Sequence, residues 1–131
     1  YDDVAVLKGG AEEGDFVQLG EGRDKLILDN FSNYLDVAHV ETLVGGADDD
    51  SIGTNLSGLN LIAGSSFSGG AGSDTLHLRA DGAVSRSGQD LSGITGFETW
   101  LLGSNQSYTL TLSDNNVTAI CAVHTKCDVP A

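Results

Sequence analysis

Basic residues are scarce in this chain of 131 residues. Only 6 side chains are Lys or Arg, whereas 19 are Asp or Glu, and the formal net charge is -13. Nucleic acids and anionic membrane surfaces are themselves negatively charged and would repel such a chain. The composition therefore argues against both as partners.

Long apolar runs and a recognisable leader are also missing. No uninterrupted apolar stretch approaches the roughly 20 residues that a membrane-spanning helix needs, so we expect no membrane insertion. The chain begins at Tyr1, without an initiator Met and without a basic segment followed by an apolar run. We therefore expect it to be a processed or excised piece of a longer protein.

Proline is nearly absent, whereas glycine is abundant. The chain has 1 Pro and 18 Gly, together with many Ser, Thr, Asn and Asp, which are residues of tight turns. Its 16 Leu argue against disorder, and its Gly content argues against helices, because each Gly destabilises a helix by about 1 kcal/mol. We predict a single all-β domain of many short strands over residues 1–131.

Short alternating apolar segments predict where the strands lie. Alternation over four or five residues is the strand period, and no window keeps apolar residues at helical spacing for three turns. The segments are DFVQL at 15–19, DKLIL at 24–28, HVETLV at 39–44, DTLHL at 74–78, FETWLL at 97–102 and YTLTL at 108–112.

A nine-residue frame links the acidic residues of the first third of the chain. Asp15 and Asp24 are nine residues apart, and the same step leads on to Asn33 and Thr42. The acidic character fades along the frame while the apolar spacing persists. After Val44 the frame breaks.

A longer self-similarity indicates two degenerate copies of one unit. HVETLVGGADDDSI at 39–52 aligns with GFETWLLGSNQSYT at 96–109, and DKLILDN at 24–30 aligns with DTLHLRAD at 74–81. Repeated strand and turn units can bury a face only by stacking, which predicts a solenoid. The predicted parts are degenerate repeats at about 20–52 and 69–112 and a C-terminal cap at 113–131.

One turn matches a known repeat motif. GGAGSDTLH at 69–77 fits the nonapeptide G-G-x-G-x-D-x-U-x, in which U is a large aliphatic residue. GGADDDSIG at 45–53 and LGEGRDKLI at 19–27 fit it in part, and GAEEGDFVQ at 10–18 fits it weakly. The chain therefore resembles the RTX, or haemolysin-type, calcium-binding repeat. LSGITGFETWLL at 91–102 also looks similar to strands of bacterial surface-layer and adhesin proteins.

The resemblance implies a right-handed parallel β-helix or irregular β-roll that binds Ca²⁺ at its turns. Ca²⁺ takes about six to eight oxygen ligands, and a glycine turn can bend its carbonyl groups inward because no Cβ obstructs it. Leu26, Ile52 and Leu76 would be the inward apolar residues. The implied ligands are the carboxylates of Asp24, Asp50, Asp74, Asp48 and Asp15 and the carbonyl groups of Gly20, Gly22, Gly45, Gly46, Gly69, Gly70 and Gly72.

Departures from the repeat limit the number of ions expected. In the family, a complete site needs two turns on the same side, two nonapeptides apart, and the residues at that distance from Asp15 and Asp24 are weak ligands or none. The 24 residues from Asp50 to Asp74 imply a larger or looped turn. The turn at 103–108 has no carboxylate. We expect fewer ions than turns.

A metal-free interpretation of the same turns stays open. Asx-turns and positive φ explain Asp and Gly without any ion. Charge favours the ion, since residues 1–50 carry 13 acidic and 3 basic side chains, and stacking acidic turns without a counterion costs Coulomb energy. A solvated acidic face can tolerate this charge at physiological salt.

Two cysteines are further candidates for a metal or redox site. Cys121 and Cys127 enclose His124 near the C-terminal end. The interpretations are a disulfide that closes a small loop, a metal site shared with His124, and two free thiols. In an acidic chain that we expect to be extracellular, the disulfide is the simplest of the three.

The sequence offers no constellation typical of catalysis. The three His are scattered at 39, 77 and 124, and His77 lies in an alternating strand where we expect it to face solvent. No nucleophile elbow, zinc-protease motif or phosphate-binding loop occurs. We therefore expect that the chain is not an enzyme.

These features predict an extracellular calcium-binding structural or adhesive repeat module of a larger secreted or cell-surface protein. Calcium outside the cell would neutralise carboxylates that repel one another in the cytosol, so folding would accompany calcium binding. The alternatives are a non-catalytic calcium-binding module of a secreted polysaccharide-acting enzyme or protease, and a self-assembling surface-layer or filament subunit with open strand edges. The partners expected are calcium ions, other copies of the chain or cell-surface polysaccharide.

Overall fold

Twelve short strands form the regular structure of the residues described by the computed structural model, which are 1–55, 65–86, 91–104, 106–114 and 116. None of these residues belongs to a helix long and apolar enough to cross a bilayer. The strands are β1 (Val4–Val6), β2 (Asp15–Gln18), β3 (Lys25–Ile27), β4 (Tyr34–Ala38), β5 (Thr42–Val44), β6 (Ser51–Asn55), β7 (Ser66–Ser68), β8 (Thr75–Arg79), β9 (Val84–Arg86), β10 (Ile94–Thr95), β11 (Thr99–Leu102) and β12 (Tyr108–Leu110).

The strands alternate between two sheets as the chain advances. Sheet A has the order β1-β3-β5-β7-β10, sheet B has the order β2-β4-β6-β8-β11, and a small third sheet pairs β9 with β12. All pairs among the described strands are parallel. The chain therefore winds as a β-solenoid of about four turns, which confirms the predicted all-β parallel solenoid.

The core consists of aliphatic and aromatic side chains stacked along the solenoid. Successive side chains of a strand point to opposite faces, so every second residue faces inward. Leu26, Ile52 and Leu76 are 1%, 0% and 0% exposed, which confirms their predicted inward position. The inward column of sheet A is Leu26, Leu43, Phe67 and Ile94, and that of sheet B is Leu35, Ile52 and Leu76.

Half of the strands follow from the sequence pattern and half do not. The six alternating segments correspond to β2, β3, β5, β8, β11 and β12. Strands such as β7 (SFS) and β10 (IT) contain one apolar residue each, so they have no alternation to detect. Pairing with a strand of the neighbouring coil determines where these strands form.

The length of a coil varies along the solenoid. In sheet A, Val4 pairs with Lys25, Lys25 with Thr42 and Thr42 with Ser66, which are offsets of 21, 17 and 24 residues. The connecting turns absorb these differences. The strands themselves stay in register.

This register corrects the nine-residue frame. The frame makes Asp24 equivalent to Thr42, but Lys25 pairs with Thr42, so Asp24 lies level with Glu41. Likewise, Asp15 pairs with Leu35 and not with Asn33, its equivalent two steps along the frame. A slip of one residue would turn every inward side chain outward. The buried apolar columns therefore set the register, and the spacing of the acidic residues does not.

A buried hydroxyl group provides a test of this core. Thr54 is 2% exposed, and its Oγ1 has no hydrogen-bond partner among the described residues. A Thr54→Val variant replaces that hydroxyl by a methyl group of similar size. We expect the free energy of unfolding in urea to rise by about 1 kcal/mol. Thr75→Val, at a half-buried position of β8, is the control and should change the free energy of unfolding by less than about 0.5 kcal/mol. A Thr54→Val variant less stable than the wild type would contradict the burial of the Thr54 hydroxyl without a partner.

Candidate functional site

The two acidic turns that best match the repeat lie in neighbouring coils at the corner where the chain passes from sheet A to sheet B. Residues 45–50 and 69–74 precede Ser51 and Thr75, which pair with each other. The Ala71 N–H donates to the Gly46 carbonyl at 3.2 Å, and the Ser73 N–H donates to Asp49 Oδ1 at 2.8 Å. The two turns are therefore stacked directly on each other.

The two stacked turns have the same length. Each runs for six residues from a Gly-Gly pair to its Asp. The additional residues of this 24-residue coil lie between β6 and β7, where 56–64 are outside the described residues. The expected larger or looped turn therefore stays a prediction.

Each turn at this corner ends in a polar side chain that accepts a backbone N–H from the preceding coil. The Asn33 N–H donates to Asp50 Oδ1 at 3.1 Å, the Asp50 N–H to Asp74 Oδ1 at 2.8 Å, and the Asp74 N–H to Glu98 Oε2 at 2.8 Å. Asn33, Asp50 and Asp74 are at most 2% exposed. We call Asn33, Asp50, Asp74 and Glu98 the carboxylate column.

The first half of the column has the denser set of hydrogen bonds. Asn33 Oδ1 accepts the Ala11 N–H at 3.1 Å, and Asn33 Nδ2 donates to Asp50 Oδ1 at 2.8 Å and to the Phe31 carbonyl at 2.6 Å. Asp50 Oδ2 accepts the Gly46 N–H of its own turn at 3.1 Å. Asn33 thus connects three consecutive coils without adding charge.

The same arrangement recurs at the start of sheet A. The Asp3 N–H donates to Asp24 Oδ1 at 2.7 Å, and the Asp24 N–H donates to Glu41 Oε2 at 2.8 Å. Asp24 is fully buried. Both corners of the solenoid therefore use an acid of one coil to accept a backbone N–H of the coil before it.

These two corners explain the long self-similarity and correct its interpretation. The N–H groups of Glu41 and Thr42 both donate to the Asp24 carbonyl. In the second copy, the N–H groups of Glu98 and Thr99 both donate to the Asp74 carbonyl. The first pair begins β5 in sheet A, whereas the second begins β11 in sheet B. The copies therefore share a local hydrogen-bond pattern but are not separated by a whole number of coils.

Close packing of the stacked turns requires glycine at position 69. A Cβ placed there would overlap the Gly96 carbonyl oxygen and would meet Asp74 Oδ2 at 2.5 Å. A side chain would push Asp74 out of the column. Contact with the next coil thus explains Gly69, and contact with the Gly46 carbonyl of the preceding coil explains Gly70.

Burial and mutual repulsion make the charged form of the column costly. Burial raises the pKa of Asp74 to about 6, and the neighbouring charges of Asp50, Glu98 and Asp49 act in the same direction. Burial also raises the pKa of Asp50, although its hydrogen bonds from Asn33 and Gly46 oppose the shift. The column holds like charges in one line, and protonation of Asp74 relieves part of their repulsion.

The donor set matches calcium in its chemistry, because every candidate ligand is an oxygen. Asp74 Oδ2 and Asp24 Oδ2 are buried and have no hydrogen-bond partner among the described residues. In the described ranges, however, no three acidic, His or Cys side chains converge on one point, and Oδ1 of each of these Asp residues already accepts an N–H. Calcium binding therefore stays a prediction.

The other predicted ligands are divided between the two corners and the surface. Asp48 is exposed in the first stacked turn, whereas Asp15 is exposed at the start of β2, where its Oδ2 accepts the Glu12 N–H at 2.9 Å. Gly20 and Gly22 have φ of 105° and 146° in the turn before Asp24. The predicted ligands in the stacked turns are Asp48, Asp50, Asp74, Gly45, Gly46, Gly69, Gly70 and Gly72. Cys121 and Cys127 lie outside the described residues.

Three residues of these two corners are absent from the predicted site residues. Asn33, Glu41 and Glu98 each stand directly before a strand, at the position that Asp occupies elsewhere. That position is the signal that could have identified them. In the predicted C-terminal cap, of which residues 113, 114 and 116 are described, the buried Asn116 amide donates to the Leu91 and Ile94 carbonyl groups at 3.0 and 2.8 Å.

Comparisons with known proteins return no match. The chain matches no protein-family model, and neither the curated proteins nor the solved structures contain a significant match to it.

The column predicts an unusual dependence of stability on pH. A carboxyl group whose pKa is raised on folding stabilises the folded state below its unfolded pKa of 3.8, and this contribution is lost as pH rises through about 6. We expect the free energy of unfolding, measured in EDTA, to fall by roughly 1 to 2 kcal/mol as the pH rises from 3.8 to about 6. Asp74→Asn should flatten most of this dependence.

Glu13→Gln is the control, because Glu13 is an exposed acid outside the stacked turns. Its pH profile should follow that of the wild type. A wild-type stability that rises with pH over this window would contradict the raised pKa of Asp74.

Proposed function

We propose that this chain is a non-catalytic structural module, a β-solenoid segment of a larger secreted or cell-surface protein. The observation that carries the proposal is the carboxylate column, which connects successive coils by buried and partly buried hydrogen bonds. A non-catalytic module of a secreted enzyme and a self-assembling subunit remain alternatives within the same structural class.

The direction of these contacts supports a structural role. Within the described residues, strand pairing and the column both join each coil to its neighbours along the solenoid axis, as in other repeat architectures. Buried hydrogen bonds to charged acceptors contribute about 1.5 to 3 kcal/mol each. The stability of such a module depends on successive contacts along one axis.

Asn33 offers the cleanest test of this role, since it is neutral. Asn33→Ala leaves the Ala11 N–H without its acceptor and removes the amide donor to Asp50 Oδ1. We expect the free energy of unfolding in urea to fall by about 2 to 3 kcal/mol. Cleavage by an added protease, which attacks the opened chain, should accelerate correspondingly.

Asn30→Ala is the matched control, because Asn30 is an exposed Asn of the same turn. It should change the unfolding free energy by less than about 0.5 kcal/mol. If Asn33→Ala unfolds and is cleaved like the control, the column does not hold the coils together and the structural proposal fails.

A second candidate function adds calcium to this role, as a signal that the module is outside the cell. The buried Asp74 Oδ2 without a partner and the raised pKa of Asp74 favour it. Asp50, Asp74 and the carbonyl groups of the stacked glycine turns would hold the ion. A bound Ca²⁺ would supply positive charge that offsets these carboxylates.

Thermal unfolding followed by circular dichroism tests this candidate in EDTA, in calcium and in magnesium. With calcium roughly 100-fold above its Kd, we expect the melting temperature to rise by roughly 5 to 10 °C, without a comparable rise in magnesium. Asp74→Asn should lose the response, and Asp15→Asn, which alters an exposed acid away from the stacked turns, should keep it. Equal melting in EDTA and calcium would eliminate calcium and leave the structural module standing.

A further inference from the structure

The outer face of sheet B carries a polar groove. Two adjoining cavities of about 370 and 280 Å³ share Asn55 and Arg79 in their walls. The first cavity extends past His77 to Tyr108 of β12, and the second extends to Phe16 of β2. Together they cross the strands of sheet B, whose neighbours lie about 4.8 Å apart.

Gly53 forms the floor of the groove. Asp36 pairs with Gly53, and Gly53 pairs with His77, so the three residues form one outward row. Arg79 Nη1 forms an ion pair with Asp36 Oδ1 at 2.7 Å. A Cβ at position 53 would overlap Asp36 Oδ1, so only Gly lets the ion pair lie across β6.

Hydrogen bonds hold the polar groups along the groove in fixed orientations. Asn55 Nδ2 donates to Asp81 Oδ2 at 3.0 Å, and Gln106 Oε1 accepts the Gly82 N–H at 2.7 Å. The Tyr108 hydroxyl donates to the Leu78 carbonyl at 3.2 Å. Orientation of this kind lowers the entropy lost when a ligand binds.

The ends of the groove are aromatic. Phe16 is 58% exposed in the second cavity, and Tyr108 is half-buried in the first. An exposed aromatic side chain at the edge of a polar cavity offers a flat apolar surface for packing. The groove therefore combines amide, carboxylate, imidazole and guanidinium groups with two aromatic rings.

We infer that this groove binds a neutral, hydroxyl-rich oligosaccharide. Hydroxyl groups both donate and accept hydrogen bonds, which suits a lining that mixes donors and acceptors. The C–H faces of sugar rings suit the aromatic ends. An anionic ligand is disfavoured because the chain carries a net charge of -13. In addition, Arg79, the one Arg among the described residues that line the groove, is paired with Asp36.

The inference is independent of the proposed structural role. The groove lies on the outer face of sheet B, whereas Asn33, Asp50 and Asp74 of the carboxylate column are buried where that sheet begins. Failure of the groove to bind sugar would leave the evidence for the column unchanged.

Titration of the isotope-labelled 131-residue chain, followed by amide NMR shifts, tests the inference. Cellohexaose, xylohexaose and maltohexaose are the neutral probes, and a galacturonate oligosaccharide is the anionic probe. At millimolar concentration, we expect at least one neutral probe to shift the amide signals of Gly53, Asn55 and His77. The signals of Lys25–Ile27, on the other sheet, should stay in place.

Variants locate the binding site within the chain. Phe16→Ala and His77→Ala should each raise the Kd by about tenfold. Phe31→Ala is the matched control, because Phe31 is 51% exposed in a turn that does not line the groove, and it should leave the Kd unchanged. Circular dichroism confirms that each variant is folded.

Three results would overturn the inference. The first is the absence of shifts with every neutral probe at millimolar concentration. The second is a response to the anionic probe alone. The third is binding that Phe16→Ala and His77→Ala weaken no more than Phe31→Ala does, which would place the sugar elsewhere on the chain.

Discussion

A hydrogen bond between a backbone N–H of one coil and an acid of the next is the interaction on which this solenoid depends. Where the chain turns a corner, strand pairing cannot satisfy every N–H, and a buried N–H without a partner costs about 1 to 3 kcal/mol. Asp50, Asp74 and Glu98 provide acceptors at one corner, and Asp24 and Glu41 provide them at the other. The same device at both corners explains why distant parts of the sequence resemble each other.

This solution places like charges in a line inside the protein. Burial strengthens each hydrogen bond, because the local dielectric is low, but it also disfavours the ionised form of each carboxyl group. The raised pKa of Asp74 is the consequence. Protonation relieves this repulsion, and the proposed calcium ion would relieve it through the same oxygen atoms.

The alternation of side chains along each strand separates the residues that stabilise the solenoid from those that line the groove. Leu35, Ile52 and Leu76 face inward in sheet B, whereas their neighbours Asp36, Gly53 and His77 form an outward row. The inward residues form the core inside the solenoid, and the outward row lines the groove. Substitutions that alter the outer surface can therefore leave the stacking of the coils intact, as expected for a scaffold that presents a binding face.

The sequence by itself determined the all-β class, half of the strands, the inward positions of Leu26, Ile52 and Leu76, and the concentration of acids in glycine turns, because these depend on local alternation and turn chemistry. Only the tertiary structure decided the coil lengths, the level pairing of Asp24 with Glu41, and the membership of Asn33 and Glu98 in the column. The partners in these contacts are 17 to 24 residues apart. Whether two such residues meet is decided by the packing of whole coils, which no local pattern encodes.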